Sequence, residues 1–215
     1  AYGTDAGLSD SDDDGVDDGA EIAAAPLRTH PGYSMSRVPG VDAPRCSLDL
    51  SVLGSNGAMA PYSTPFDRSG GDWTVEAYVK LGTDLDGVLV AYDLGGAHQF
   101  ALRTDAGTPA ITFTDSNGAL QTLAAAGSIA DGNWHYLAAV WNRTAQELTL
   151  VVDALIFVRG RNDFGMLPVQ PVSGRGTLRL GLGYDDGLLD EVRVWGSART
   201  LADLETRSEE HTSEL

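Results

Sequence analysis

From residue 73 onward, apolar and polar positions alternate in short runs that stop at glycine, aspartate or asparagine, the period-two signature of sheet strands. The clearest run is Trp73 to Lys80, where Trp73, Val75, Ala77 and Val79 alternate with Thr74, Glu76, Tyr78 and Lys80. That period puts one of the two sets on a core face. Further runs fall at 88–94, 98–104, 110–114, 119–123, 134–141, 147–152, 154–159, 177–183 and 188–195, about ten strands in all. Asp115-Ser116-Asn117-Gly118 between two of them is a hairpin turn of residues that tolerate positive φ. One short helix is expected at 200–205, with Thr200 as its cap and Asp203 three residues on. Many short strands and one helical turn predict an all-β fold, a two-sheet antiparallel sandwich or jelly roll.

Composition agrees with that pattern. In 215 residues, 26 glycines and 9 prolines favour turns over long helices, and 42% apolar against 21% charged residues is a globular balance. The formal net charge of -17 excludes nucleic acid as a natural partner, because phosphate contacts would start against strong repulsion. The longest apolar candidate, 148–158, is broken by Asp153, so no membrane insertion is expected within this stretch of chain. The chain starts at Ala1 rather than methionine, so the lack of a leader is no argument for the cytoplasm. The single cysteine, Cys46, forms no internal disulfide and reads as a small buried hydrophobe.

The chain divides by composition into an acidic head at 1–22, a proline-containing linker or edge strand at 23–45, a strand-rich domain at 46–206 and a tail at 207–215. The tail, Arg207-Ser208-Glu209-Glu210-His211-Thr212-Ser213-Glu214-Leu215, resembles the in-frame translation of a short-read sequencing adapter. The resemblance implies an assembled fragment whose tail is excluded from fold reasoning.

Four ordered segments carry a second resemblance: Ser47-Leu48-Asp49-Leu50, Gly71-Asp72-Trp73-Thr74-Val75-Glu76-Ala77-Tyr78-Val79-Lys80, Asp131-Gly132-Asn133-Trp134-His135-Tyr136-Leu137-Ala138 and Gly187-Leu188-Leu189-Asp190-Glu191-Val192-Arg193-Val194-Trp195. In order and spacing they resemble the LamG-like (concanavalin A-like) jelly-roll family. The resemblance implies two curved antiparallel sheets, a secreted or cell-surface setting, and roles in binding carbohydrate or protein or in structural support. One departure is Asp153-Ala154 where the family often shows an aspartate-glycine turn; alanine resists positive φ.

The head carries its own chemistry. Asp10, Asp12, Asp14, Asp18 and Glu21 fall at positions 1, 3, 5, 9 and 12 of a loop, with Gly15 at position 6 for the sharp turn and the Val16 carbonyl at position 7. Hard cations take six to eight oxygens, and this spacing wraps a short loop around Ca²⁺. An EF-hand also needs an entering helix and usually an apolar position 8, which here is Asp17. The segment resembles instead a thrombospondin type-3 calcium repeat.

Some jelly rolls of this kind are glycoside hydrolases. A glycosidase needs two carboxylates about 5 Å or more apart. Glu76 stands alone on its strand, Asp190 and Glu191 are adjacent and expected to face opposite ways, and Asp84 with Asp86 and Asp185 with Asp186 lie in loops. No enzyme activity is expected. His135 reads as a hydrogen-bonded sheet histidine, since no second His or Cys keeps ligand spacing with it, and the four tryptophans read as core anchors. Asp190 is expected to tie down a neighbouring loop or strand end, and Asn142-Arg143-Thr144 matches a glycosylation acceptor. Asp93 and Asp185 are rim positions where the jelly roll could hold a calcium of its own. The sequence therefore predicts a non-catalytic, calcium-loaded binding module of a larger secreted or cell-surface protein, recognising extracellular glycan or protein on a loop rim or concave face. The rim loops are 82–87, 162–175 and 183–187. The alternatives are a structural spacer or an accessory domain of a secreted glycoside hydrolase or peptidase.

Overall fold

Two antiparallel sheets of six strands each carry the described part of the chain, as the turn-punctuated pattern predicts. The computed structural model describes residues 47–53, 57–60, 71–83, 86–153, 155–164 and 168–204. The acidic head with the expected calcium loop, the linker, Cys46 and the tail lie outside the described residues.

The strands are β1 (Leu48–Asp49), β2 (Ala58–Ala60), β3 (Trp73–Lys80), β4 (Gly87–Asp93), β5 (His98–Asp105), β6 (Thr108–Thr114), β7 (Leu120–Ala124), β8 (Trp134–Asn142), β9 (Glu147–Val152), β10 (Leu155–Arg159), β11 (Thr177–Leu182) and β12 (Leu188–Trp195). One sheet runs β1-β12-β3-β8-β9-β10 and the other β2-β11-β4-β5-β6-β7. The ten expected strands are present with ends shifted by a residue or two. The two additional ones, β1 and β2, are edge strands of two and three residues, too short to show a period.

The core fills the space between the sheets. Trp73, Val75, Ala77 and Val79 of β3 and Leu137, Ala139 and Trp141 of β8 meet Tyr92, Phe100, Leu102, Ile111 and Phe113 from the other sheet. The Trp73 and Phe100 rings lie 5.5 Å apart, and Phe113 and Trp141 5.1 Å, both tilted as aromatic pairs prefer.

β3 is also buried on its second face. Tyr78, Tyr136, Ala138, Val140 and Val151 form a second apolar layer that Leu204 joins from the chain after β12. That crossing is pinned at Thr74, whose hydroxyl donates to the Ser197 carbonyl (2.8 Å) and accepts from the Arg199 amide (3.0 Å). Residues 201–204 form the expected helical turn. The Thr200 hydroxyl accepts from the Asp203 amide (3.2 Å) while the Asp203 carboxylate accepts from the Thr200 amide (3.0 Å), a reciprocal cap.

One expectation about side-chain direction fails. Asp190 pairs with Tyr78 but Arg193 pairs with Glu76, so β12 carries one extra residue, a β-bulge, with Glu191 at φ 46°. Strict alternation is lost there, and Asp190 and Glu191 are not simply opposed. Among the described residues, the Asp190 carboxylate accepts the Glu191 amide (2.7 Å) and stabilises the bulge itself.

Candidate functional site

The three loops singled out in the sequence do not share one place. β4 and β11 run antiparallel, with Thr177 opposite Asp93 and Leu182 opposite Val88. Loops 82–87 and 183–187 therefore meet at one end of the sandwich, and the chain after β10 leads to the other. Asp93 and Asp185 stand at opposite ends, separated by the length of β4, about 20 Å at ~3.3 Å per residue. They cannot serve a common calcium.

The second end, that of Asp93, is closed by hydrogen bonds. The Asp93 carboxylate accepts from the Gly95 amide (2.8 Å), the Gly96 amide (3.3 Å) and Arg179 Nε (2.7 Å). Burial works against its charge, yet these donors hold its carboxyl below the usual range. Buried Asp115 accepts from the Asn117 and Ala119 amides (both 2.9 Å) and from Gln121 Nε2 (2.8 Å), which fixes the expected hairpin turn. Loop 162–175 is tied in by Ser116 N–H to the Gln170 carbonyl and Val172 N–H to the Thr114 carbonyl, each 2.9 Å.

The first end is also laced by hydrogen bonds, but its acids stay exposed. Here the Gly132 amide donates to the Leu81 carbonyl (2.9 Å), and the Ile129 amide to the Gly107 carbonyl (3.0 Å). The Ala106 amide donates to the Asp86 carboxylate. These bonds lace together the loops at 81–87, 105–108 and 125–133. The Asp186 carboxylate covers Gly82, where a Cβ would lie 2.8 Å from Oδ2. Asp86, Asp105, Asp131, Asn133, Asp153, Asp185 and Asp186 are all exposed.

His135 sits at the first end as the hub of a three-group cluster. Its Nδ1 is 2.9 Å from Asp153 Oδ2 and its Nε2 3.0 Å from Asp131 Oδ1. Burial disfavours charge on the ring, but the two carboxylates outweigh it and raise its pKa above the ordinary value. Asp131, which also accepts the Asn133 amide (2.8 Å), is held down to about 2, first by His135 and then by Asn133. Asp153 closes the two-residue connection between β9 and β10 at φ 51°, and its other oxygen accepts the Tyr136 amide (2.9 Å). Asp153 itself takes the left-handed conformation that aspartate tolerates; Ala154, where the family often has glycine, lies outside the described residues. His135 is hydrogen-bonded as expected, but neither partner was foreseen. The i,i+4 spacing of Asp131 and His135 was the available signal; nothing local pointed to Asp153.

Cross-strand register also brings together acids that a strand-by-strand search misses. Glu76 and Asp190 lie on the same face of neighbouring strands, one pairing step apart. They make no reachable catalytic pair. Glu76 is 0% exposed, with Oε2 accepting the Tyr136 hydroxyl (3.0 Å), and Oε1 has no hydrogen-bond partner among the described residues. Across the non-core face of the other sheet, Met59, Arg179, Ala91, Ala101, Thr112 and Thr122 align in register; Ala91, Ala101 and Thr112 are buried, Met59 is exposed, and Arg179 reaches Asp93.

Trp73 and Trp141 are core anchors as expected. Trp134 and Trp195 are only partly buried; the Arg199 guanidinium stacks 4.6 Å from the Trp195 ring, and Trp134 packs on the second apolar layer. Asn142 ends β8, its side-chain oxygen accepting the Ala145 amide (2.9 Å) across the turn to β9. Among the described residues, no group of three or more His, Cys, Asp or Glu is arranged to hold a metal ion. No described helix is long and apolar enough to cross a membrane.

Comparison with solved structures finds the same sandwich in binding domains. The binding domain of Paraclostridial Mosquitocidal Protein 1 is 12% identical at a TM-score of 0.58, over 81% of this chain and 45% of that one. The receptor-binding domain of botulinum neurotoxin D is 12% identical at a TM-score of 0.56, over 71% and 41%. The binding domain of botulinum neurotoxin serotype G is 8% identical at 0.54, over 74% and 42%. The chain thus spans less than half the length of each. No curated protein matches the sequence. Residues 53–205 match Laminin_G_3, described as the Concanavalin A-like lectin/glucanases superfamily, and the chain belongs to that family.

Proposed function

We propose that the sandwich is a non-catalytic recognition module of a larger secreted or cell-surface protein, binding an extracellular glycan or protein through the loops of its first end. The observation that carries this reading is the contrast between the two ends. At the first end, laced loops present exposed carboxylates and amides on a rigid scaffold, the usual setting of a grafted binding site. At the second end, Asp115 is buried and Asp93 half-buried, both turned inward onto internal hydrogen bonds. The sealed position of Glu76 supports binding without turnover. The neurotoxin and mosquitocidal domains that share the fold are binding domains by name, which supports the same class.

The head adds calcium to this reading: Asp10, Asp12, Asp14, the Val16 carbonyl, Asp18 and Glu21 hold one Ca²⁺. A glycan array with and without calcium, run beside a hydrolysis screen on polysaccharides, tests the proposal. The expected result is retention of a glycan or an extracellular protein bait, lost on replacing exposed first-end acids, with no product released. Product release, or silence towards both glycan and protein baits, overturns it; the latter leaves a structural spacer.

A further inference from the structure

The β6–β7 hairpin presents a side-chain amide at its tip. Asn117 and Gly118 are both exposed, and no hydrogen bond among the described residues reaches the Asn117 side chain. Of the described asparagines, Asn117, Asn133, Asn142 and Asn162, only the first precedes glycine. That neighbour matters chemically. The backbone nitrogen after an asparagine can close a five-membered ring on the asparagine Cγ, and glycine has no Cβ to bar the approach. At Gly118 the space that a Cβ would fill is open, with nothing within 4 Å.

The closed turn holds this reaction back. The Gly118 amide donates to the Asp115 carbonyl (2.9 Å), which engages the proton that must leave. The Asn117 amide donates to Asp115 Oδ1 (2.9 Å), which fixes the backbone on the other side of the reacting residue. Asp115 itself is 3% exposed. Its Oδ1 also accepts the Ala119 amide (2.9 Å) and its Oδ2 accepts Gln121 Nε2 (2.8 Å), while its own amide donates to the Ala119 carbonyl (2.8 Å). One buried residue therefore latches both amides that flank the Asn117 Cα.

We infer that Asn117 is a self-modification site, converted to aspartate and isoaspartate when the turn opens, with Asp115 as the latch that sets the rate. Hydroxide takes the Gly118 N–H proton and the nitrogen attacks Asn117 Cγ. The new N–C bond closes a succinimide, and the bond from Cγ to the side-chain nitrogen breaks, which leaves with a solvent proton as ammonia. Water then opens the ring at either carbonyl. One opening gives aspartate; the other gives isoaspartate, whose main chain runs through Cβ and Cγ. The net change is one water consumed and one ammonia released, with nothing oxidised or reduced. In isoaspartate the main chain between residues 117 and 118 is longer by one methylene, so the Gly118 amide no longer meets the Asp115 carbonyl and the latch stays open. The same turn ties in loop 162–175 through the Ser116 amide and the Gln170 carbonyl (2.9 Å), so conversion loosens the second end and spares the first.

The test is peptide mapping by mass spectrometry on the full chain incubated at mildly alkaline pH, with isoaspartate counted by enzymatic methylation. Conversion should appear at Asn117. Because local opening sets the pace, the chain unfolded in denaturant should convert that residue at least about tenfold faster than the folded chain. Asp115→Ala removes the carboxylate from three donors and should accelerate conversion in the folded chain about tenfold or more. Should that variant fail to fold, Gln121→Ala, which takes one donor from the same carboxylate, should accelerate it at least about twofold. An Asn117 that stays intact through prolonged incubation of the folded chain overturns the inference, as does a rate that neither unfolding nor a foldable latch variant changes.

Discussion

Removing the charge of His135 should loosen the first end, and the effect has a definite pH signature. The protonated ring donates to Asp131 and Asp153 at once, bracing loop 125–133 and the β9–β10 hairpin against β8. A neutral ring carries one proton, so one of its nitrogens then faces a carboxylate without a hydrogen between them. His135 has a raised folded pKa, so its stabilising contribution is complete below the unfolded value of about 6.5 and is lost as pH rises through the folded value. Asp131 behaves oppositely: held at about 2, its contribution is present above the unfolded value and disappears as pH falls through 2. The brace is therefore strongest between roughly pH 4 and 6.5.

Charge-assisted hydrogen bonds are worth up to ~3 kcal/mol when dry, but these carboxylates are 53% and 50% exposed and solvent screens them. Neutralising His135 should therefore cost about 1 kcal/mol, which for a domain of this size lowers the melting temperature by about 2–4 °C. Calorimetric scans from about pH 5.5 to 8 on the wild type and on His135→Gln should show that decline only in the wild type. Two-dimensional NMR of the imidazoles should place His135 above ~6.5. Equal pH slopes in the two proteins would falsify the brace, since they would show that the ring carries no net interaction with its carboxylates.

Two further outcomes follow from chemistry elsewhere in the chain. Calorimetric titration of the full chain with Ca²⁺ should show saturable uptake with Kd of roughly 10⁻⁴ to 10⁻³ M, abolished by Asp12→Ala with Asp14→Ala; heat unchanged by those substitutions sinks the assignment. Gly87→Ala should destabilise by about 1–3 kcal/mol in denaturant titration, because its Cβ would lie 2.6 Å from the fully buried Tyr184 ring, which the Thr104 hydroxyl holds at 2.8 Å; a neutral result would mean that Tyr184 shifts freely.

Fold legibility tracked the reach of each signal along the chain. β3 and β8 were readable because a core-facing set recurs every second residue and turn residues mark the ends, information wholly local to each run. The same rule was silent on the second buried face of β3. Tyr78 and Tyr136 look like ordinary outward residues of their own strands, and only Leu204, over a hundred residues beyond Tyr78, makes their face an interior. β1 and β2 exist because β12 and β11 offer them backbone partners, so no pattern of their own could have announced them.

Site chemistry was less legible for a related reason: in a sandwich, the groups that meet are set by register and not by spacing. Asp153 reaches His135 across 18 positions because β8 and β9 pair Leu137 with Val152, which carries the following turn back beside the start of β8. A shift of that register by one residue would turn the side chains to opposite faces and separate the two. Glu76 and Asp190 share a face for the same reason, and the bulge at Glu191 voids the alternation rule at the very residues where the search for a carboxylate pair relied on it. Asp93 and Asp185, alike in composition and loop setting, fall at opposite ends because the one antiparallel pairing of β4 with β11 sends them apart. For a two-sheet protein, residue type and turn chemistry name the candidates; the strand register decides which of them can act together.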